Sequence, residues 1–243
     1  QVYRSREVET DEFNFGLPFL EDALKGAAFP YTVANVWRVD ANGARTAPFL
    51  PRSLMLERDL VDGDGKRHRV KIGVLGLVTP QIVVWDRDKL QGRLTTDSIV
   101  TTAREMVPKM RAEGADIVIV LAHTGIGSPE AGIDEENVGW LVSQVPGIDA
   151  IITGHSHAQF PGEFYRTLKN TDIARGTING VPVVMANAWG SHLGLIELTL
   201  KKDAAGVSVV DRRAFLRPVY ERRDGKSVAL VTPDAAHWRP RGD

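Results

Sequence analysis

Hydrophobic positions along the chain follow either helical spacing or continuous apolar runs. Helical spacing predicts three helices: residues 13–25, a helix that begins at 96–97 and ends before 114, and residues 134–145. Apolar or alternating runs predict strands at 29–36, 50–60, 69–78, 181–186, 193–200 and 207–216, and in two segments that end near 123 and 155. A helix followed by a buried strand occurs twice with short links, which predicts a layered α/β fold.

A turn sequence separates two of the predicted strands. Residues 62–65 read Asp-Gly-Asp-Gly, and Asp-Gly pairs supply the positive φ that hairpin turns require, so we predict a hairpin of 50–60 with 69–78. Gly73 and Gly76 interrupt the second strand. They could cradle a phosphate, but isolated glycines without a complete fingerprint are more typical of close packing, which is the reading we favour.

Two segments share one order of residues and each delivers histidine. Residues 114–125 and 147–155 both read Gly, apolar residue, Asp, an apolar run rich in β-branched residues, and then His. Ligands bind outside the carboxyl ends of strands in open α/β sheets, so His123, His155 and His157 are expected to converge there. In extended backbone His155 and His157 would share a face, although a polar turn with two solvated histidines is the alternative.

Composition limits the chemistry available to the chain. With no cysteine, a metal would have to be bound by His, Asp, Glu or Asn. A net charge of −1 over 243 residues gives no general attraction to nucleic acid or to an acidic membrane, and no run of about 18 apolar residues indicates a membrane span. We expect residues 1–12 to be a poorly ordered start and residues 219–243 to be a linker-like tail.

Four segments carry a resemblance to a known family. Residues 72–86, 114–125, 145–157 and 179–194 closely resemble the bacterial 2′,3′-cyclic-nucleotide 2′-phosphodiesterase/3′-nucleotidases, in the 5′-nucleotidase branch of the metallophosphoesterases. The likeness extends over roughly residues 12–217. It implies a four-layer α/β/β/α metallophosphoesterase sandwich lacking its first strands, with residues 13–218 as a partial catalytic domain.

The resemblance also implies a site and an activity. His123 and His155 would bind one divalent metal and His157 a second, with a water or hydroxide between the metals as the nucleophile. Mn, Zn and Co all remain open as the metal. The implied function is hydrolysis of 2′,3′-cyclic nucleotides and 3′-nucleotides by a periplasmic enzyme whose partner is a nucleotide small molecule, with neither nucleic acid nor membrane involved. The oligomeric state stays open.

The first residues depart from the family pattern. Relatives carry an Asp-x-His strand end and a Gly-Asp turn upstream, and the first ten residues match neither. Alignment on the following motif places Glu9, Thr10 and Asp11 where relatives have Gly, Asn and His. We therefore leave the catalytic and substrate-binding residues unassigned. The alternative function is a truncated, catalytically silent remnant that binds metal or a partner only.

The remaining histidines and two tryptophans have simpler interpretations. His68, between two arginines, is expected to be solvated, and His237 has no predicted role. His192 lies near the resembling segments, so a supporting contact to a metal ligand is one alternative for it. We expect Trp85 and Trp189 to anchor core or loops rather than to stack on a base.

Overall fold

A central, mostly parallel sheet organises the chain. The computed structural model describes residues 6–7, 11–204 and 206–232. The helices are α1 (Leu17–Lys25), α2 (Ile82–Trp85), α3 (Arg87–Leu90), α4 (Ile99–Ala112) and α5 (Gly139–Val142), with 3-10 turns at Asp11–Phe15 and Glu163–Tyr165. The strands are β1 (Arg6–Glu7), β2 (Tyr31–Thr32), β3 (Val36–Val39), β4 (Arg45–Pro48), β5 (Leu54–Val61), β6 (Arg67–Val78), β7 (Leu94–Thr96), β8 (Ile117–His123), β9 (Ala150–Thr153), β10 (Gln159–Phe160), β11 (Thr171–Asp172), β12 (Thr177–Ile178), β13 (Val181–Ala186), β14 (His192–Asp203), β15 (Gly206–Pro218), β16 (Tyr220–Arg223) and β17 (Lys226–Ala229).

The register of the central sheet aligns the carboxyl ends of its parallel strands. Strand order is β11-β12-β13-β9-β8-β6-β5, and β10 also pairs with β13. The inner pairs are parallel: Val78 lies opposite His123, and Thr153 lies opposite both Ala122 and Met185. Because these ends meet at one edge, the segments that follow β6, β8, β9 and β13 all emerge there. The sequence predicted this convergence for the segments that follow β8 and β9.

The two faces of this sheet are covered by different layers. One face packs against α4, whose apolar side is buried with the strands. Its buried apolar residues are Ile99, Val100, Ala103, Met106, Val107 and Met110. The β14–β15 hairpin packs on β13, where a Cβ added to Gly194 would lie only 3.2 Å from Val184 Cβ. A helical layer, a sheet and a second sheet confirm the mixed α/β class.

The repeated Gly-apolar-Asp sequence has a structural role. The Asp116 carboxylate accepts a hydrogen bond from Lys71 N at 2.8 Å, and the Asp149 carboxylate accepts one from Val118 N at 2.8 Å. Asp149 also forms an ion pair with Arg111. Each aspartate therefore joins the start of its own strand to the strand beside it, which fixes the register that brings the strand ends together.

The predicted hairpin of β5 and β6 is confirmed, and its glycines are packing residues. The Asp62 carboxylate accepts two backbone hydrogen bonds inside the turn. A Cβ added to Gly73 would lie 2.6 Å from Met110 Cε, and one added to Gly76 would lie 2.3 Å from Thr32 O. Both glycines face protein atoms, so close packing rather than phosphate binding explains them.

The predicted strand 29–36 is wrong as a continuous element. The structure has β2 at Tyr31–Thr32 and β3 from Val36, with an irregular segment between them. Asn35 explains the interruption: its side chain donates to Val78 O at 2.7 Å and accepts from Val78 N at 3.1 Å. The amide thus takes the place of a backbone partner at the end of β6.

The predicted helix 134–145 is also mostly wrong, since only α5 is helical. Residues before α5 are bonded to the loop after β8. Gly125 N donates to Asn137 Oδ1 at 3.0 Å, and Thr124 Oγ1 donates to Glu136 O at 2.7 Å. These contacts replace the hydrogen bonds of a helix, and they hold Glu136 against the carboxyl edge of the sheet.

The two ends of the chain are described only in part. The predicted helix 13–25 is confirmed over α1, after a break at Gly16, whose φ is +81°. The antiparallel hairpin β16–β17 lies inside the predicted tail 219–243, while residues 1–5, 8–10 and 233–243 are outside the described residues. The domain division at 218 stays a prediction. Among the described helices, none has the length and apolar character needed to cross a membrane.

Candidate metal site at the carboxyl edge

His123 and His155 meet at the carboxyl edge of the sheet. His123 is the last residue of β8 and its exposure is 9%. Its ring centroid lies 5.2 Å from that of His155, with the rings edge to face at 65°. The predicted convergence of these two histidines is therefore confirmed, because parallel register brings the ends of β8 and β9 to the same level.

The backbone around His155 and His157 differs from the prediction. Strand β9 ends at Thr153, and His155 and His157 have φ values of +65° and +51°. The segment is a left-handed turn rather than extended chain, so the argument that both rings share a face because side chains alternate is wrong. Such conformations cost about 1–3 kcal/mol each in non-glycine residues and concentrate at functional sites. The His157 side chain is exposed, and its role as a metal ligand stays a prediction.

Buried neighbours anchor this turn. Ser156 Oγ donates to Met185 Sδ at 3.3 Å, and Gly154 N donates to Thr124 O at 3.3 Å. Burial raises the pKa of Tyr165, while a hydrogen bond with Ser156 opposes that shift. The turn is thus tied to the loop after β8, to β13 and to the segment after β10.

Two side chains that the sequence did not predict contact the His155 ring. Glu136 Oε1 forms a hydrogen bond with His155 Nε2. Trp85, at the end of α2, stacks on the same ring with centroids 5.4 Å apart and planes 14° apart. Glu136 falls on the polar side of the predicted helix 134–145, and the sequence pattern gave no reason to assign it to the site. Trp85 was expected to anchor core or loops; because it is 47% exposed beside the site it is not a core residue, and its role as a loop anchor stays a prediction.

The other predicted side chains lie elsewhere. His68 is not simply solvated: its Nε2 lies 2.6 Å from Asp62 Oδ2 at the β5–β6 turn, and this hydrogen bond lowers the pKa of Asp62. His192 Nδ1 is 2.9 Å from Ser191 Oγ, which does not test the supporting role considered for it. Trp189 is 97% exposed, so it is not a core residue. His237 lies outside the described residues.

The donor chemistry of the edge suits a divalent metal, although the described residues do not complete a site. Imidazole is a good ligand for zinc and for other first-row transition metals, and the buried His123 ring beside the His155 ring supplies two such ligands. Within residues 6–7, 11–204 and 206–232, no group of three or more His, Asp or Glu side chains is arranged to hold a metal ion. Glu9 and Thr10 lie outside these ranges, and the Asp11 side chain is not described.

Comparison with known proteins identifies similar chains. Over 218 residues the chain is 44% identical to the 2′,3′-cyclic-nucleotide 2′-phosphodiesterase/3′-nucleotidase of Salmonella typhimurium, covering 90% of this chain and 33% of that protein. It is 40% identical over 218 residues to the trifunctional nucleotide phosphoesterase protein YfkN of Bacillus subtilis, covering 89% of this chain and 15% of that protein. No family model matches the chain. The chain spans about a third of the length of the curated phosphodiesterase/3′-nucleotidases that it matches.

Solved structures agree with this similarity. A crystal structure of the calcineurin-like phosphoesterase YfkN from Bacillus subtilis superposes with a TM-score of 0.84 at 39% identity, covering 89% of this chain and 64% of that one. The 5′-nucleotidase precursor of Thermus thermophilus gives a TM-score of 0.59 at 26% identity, covering 89% of this chain and 39% of that one. The predicted metallophosphoesterase fold is confirmed.

Proposed function

The chain is similar to about a third of the length of the 2′,3′-cyclic-nucleotide 2′-phosphodiesterase/3′-nucleotidases, and it has the calcineurin-like phosphoesterase fold. We therefore propose that it acts in metal-dependent phosphoester hydrolysis. The proposed substrates are 2′,3′-cyclic nucleotides and 3′-nucleotides. One observation carries the proposal: the contact of His123 with His155 at the carboxyl edge of the sheet. A periplasmic location is part of the same proposal.

The residues that would hold metal are His123, His155 and His157. A pair of divalent ions supplies Lewis-acid polarisation of the phosphoryl group and steadies the leaving oxygen. The protein's own contribution is positional. His123 is held at the end of a buried strand, and the Ser156 and Gly154 contacts fix the turn that carries the other two rings.

Two tryptophans lie in segments at the carboxyl edge of the sheet. Trp85 presents a half-exposed indole beside the His155 ring, and Trp189 follows β13 at the same edge. Both aromatic surfaces lie in segments that emerge where the parallel strands end. They could exclude water from one side of a bound phosphoester, and this is the role we propose for Trp85.

Turnover measurements test the proposal. The chain is incubated with Mn²⁺, Co²⁺ or Zn²⁺ and with bis(p-nitrophenyl) phosphate, a 2′,3′-cyclic nucleotide, a 3′-nucleotide or a 5′-nucleotide. We expect metal-dependent release of product from the cyclic and 3′ substrates in preference to the 5′ substrate, and loss of it in His155→Ala. His68→Ala is the matched control, since it removes a histidine at the distant β5–β6 turn. Turnover that is unchanged by His155→Ala would overturn the assignment.

A second candidate function has one observation in its favour. The described residues contain no group of three or more candidate metal ligands, which favours a chain that binds metal or a partner without turnover. Calorimetric titration with the same ions separates the candidates. Binding without hydrolysis would support the second, and hydrolysis would support the first.

A further inference from the structure

We propose that Glu136 is a positioning residue for His155: its carboxylate fixes the orientation and tautomer of the ring, so that Nδ1 is the nitrogen presented to a metal. The inference rests on the proposed metal-binding role of His155 and goes beyond it by adding a residue that lies outside the predicted ligand set.

The contacts on the His155 ring define its orientation. Glu136 Oε1 is hydrogen-bonded to His155 Nε2, Trp85 covers one face of the ring, and the His123 ring meets it edge to face. A neutral imidazole has one protonated nitrogen and one with a lone pair. A carboxylate at Nε2 favours the proton there, which leaves the lone pair at Nδ1. Metal-binding histidines commonly donate their other ring N–H to a carboxylate in this way.

The backbone holds Glu136 in place for this role. Its carbonyl oxygen accepts from Thr124 Oγ1 at 2.7 Å, and the next residue, Asn137, accepts from Gly125 N at 3.0 Å. Both partners belong to the loop that directly follows His123. Hydrogen bonds therefore join the segment that carries Glu136 to the loop after His123, which is itself bonded to the turn that carries His155. The interruption of the predicted helix 134–145 is what allows these contacts.

The neighbouring carboxylate of Glu135 provides a matched control. Glu135 is adjacent in sequence, and its Oε1 accepts from Gly132 N at 2.8 Å within its own loop. Glu135→Gln therefore removes the same charge from the same segment without touching the His155 ring. Glu136→Gln keeps an oxygen that can accept from Nε2 but removes the charge, whereas Glu136→Ala removes both.

The first measurement is the tautomer of His155 in the metal-free protein. Long-range ¹H–¹⁵N spectra of histidine-labelled protein, recorded where the ring is neutral, report which nitrogen carries the proton, and loss of the signal in His155→Asn identifies it. We expect the Nε2–H form in the parent, in Glu135→Gln and in Glu136→Gln, and a mixture of tautomers in Glu136→Ala. An unchanged tautomer in Glu136→Ala would overturn the proposal.

The second measurement is affinity for Zn²⁺ and Mn²⁺ by calorimetry. Loss of such a supporting carboxylate typically lowers metal affinity by about 10- to 100-fold, so we expect that loss in Glu136→Ala, a smaller one in Glu136→Gln and none in Glu135→Gln. Equal affinity in the parent and Glu136→Ala would contradict the role of Glu136. If the parent itself bound neither ion, the proposed function would fail, and the tautomer measurement would still decide whether Glu136 orients the ring.

Discussion

Replacement of Asp149 tests how the sheet register is maintained. Asp149 is 9% exposed, and its carboxylate accepts from Val118 N at 2.8 Å and pairs with Arg111. In Asp149→Ala the Val118 N–H loses its partner in a buried strand, which costs about 1–3 kcal/mol. Loss of the partly buried ion pair adds to this, so we expect the free energy of unfolding to fall by about 2–4 kcal/mol.

Asp149→Asn separates the two contributions. The amide oxygen can still accept from Val118 N, and Arg111 keeps its donated bonds to Gly147 O at 2.7 Å and to Asp116 O at 2.8 Å. We therefore expect Asn to cost less than half as much as Ala. Urea unfolding followed by circular dichroism gives both values, with the exposed Asp64→Ala as the control. An Asp149→Ala midpoint equal to that of the parent would refute the reasoning.

Three further predictions follow from particular side chains. His155→Ala should lower bound Mn²⁺ or Zn²⁺ by at least about tenfold while far-UV circular dichroism is unchanged, whereas His68→Ala should lower neither; elemental analysis after dialysis checks this. Ile151, at 0% exposure, and Ile152, at 40% exposure, point to opposite faces of β9. Ile151→Ala should therefore lower the free energy of unfolding by about 2–5 kcal/mol, and Ile152→Ala by about 1 kcal/mol or less. Equal decreases in urea unfolding would contradict the assigned faces. Hydrogen bonds from Arg52 and Lys109 lower the pKa of Glu105 to about 2. Because the pKa of Glu105 is lowered in the folded state, the carboxylate contributes its full stabilisation above about pH 4.5 and loses it as the pH falls towards 2. The difference in free energy of unfolding between the parent and Glu105→Gln should therefore decrease over that pH range, which unfolding measured at a series of acid pH values would show.

The sequence predicted those parts of the fold that depend on local patterns. Continuous apolar runs located β8, β9 and β13, and the Asp-Gly pairs located the turn between β5 and β6. Parallel strands place their ends at one edge, which is why the meeting of His123 and His155 could be predicted without knowing any tertiary contact.

The two predicted elements that are wrong in extent, 29–36 and 134–145, are interrupted where a polar side chain replaces a backbone partner. Asn35 interrupts the predicted strand 29–36 by bonding both backbone groups of Val78, and Asn137 interrupts the predicted helix 134–145 by bonding Gly125 N. In both segments the periodicity of apolar residues is compatible with a regular element. The outcome depends on a partner 43 or 12 residues away, and a local pattern carries no information about that distance.

The same limit explains why Glu136 was not predicted as part of the site. In a helix over 134–145 its carboxylate would have faced solvent, like that of Glu135. The interruption at Asn137 instead turns the segment towards the loop after β8, and this brings the Glu136 carboxylate to the His155 ring. The Asn137 amide therefore helps to place the Glu136 carboxylate at the His155 ring. Asn137→Ala should remove the hydrogen bond from Gly125 N, loosen the segment and weaken the contact of Glu136 with His155. On this reasoning Asn137→Ala should shift the His155 tautomer in the same direction as Glu136→Ala, while every ring that contacts His155 remains in place.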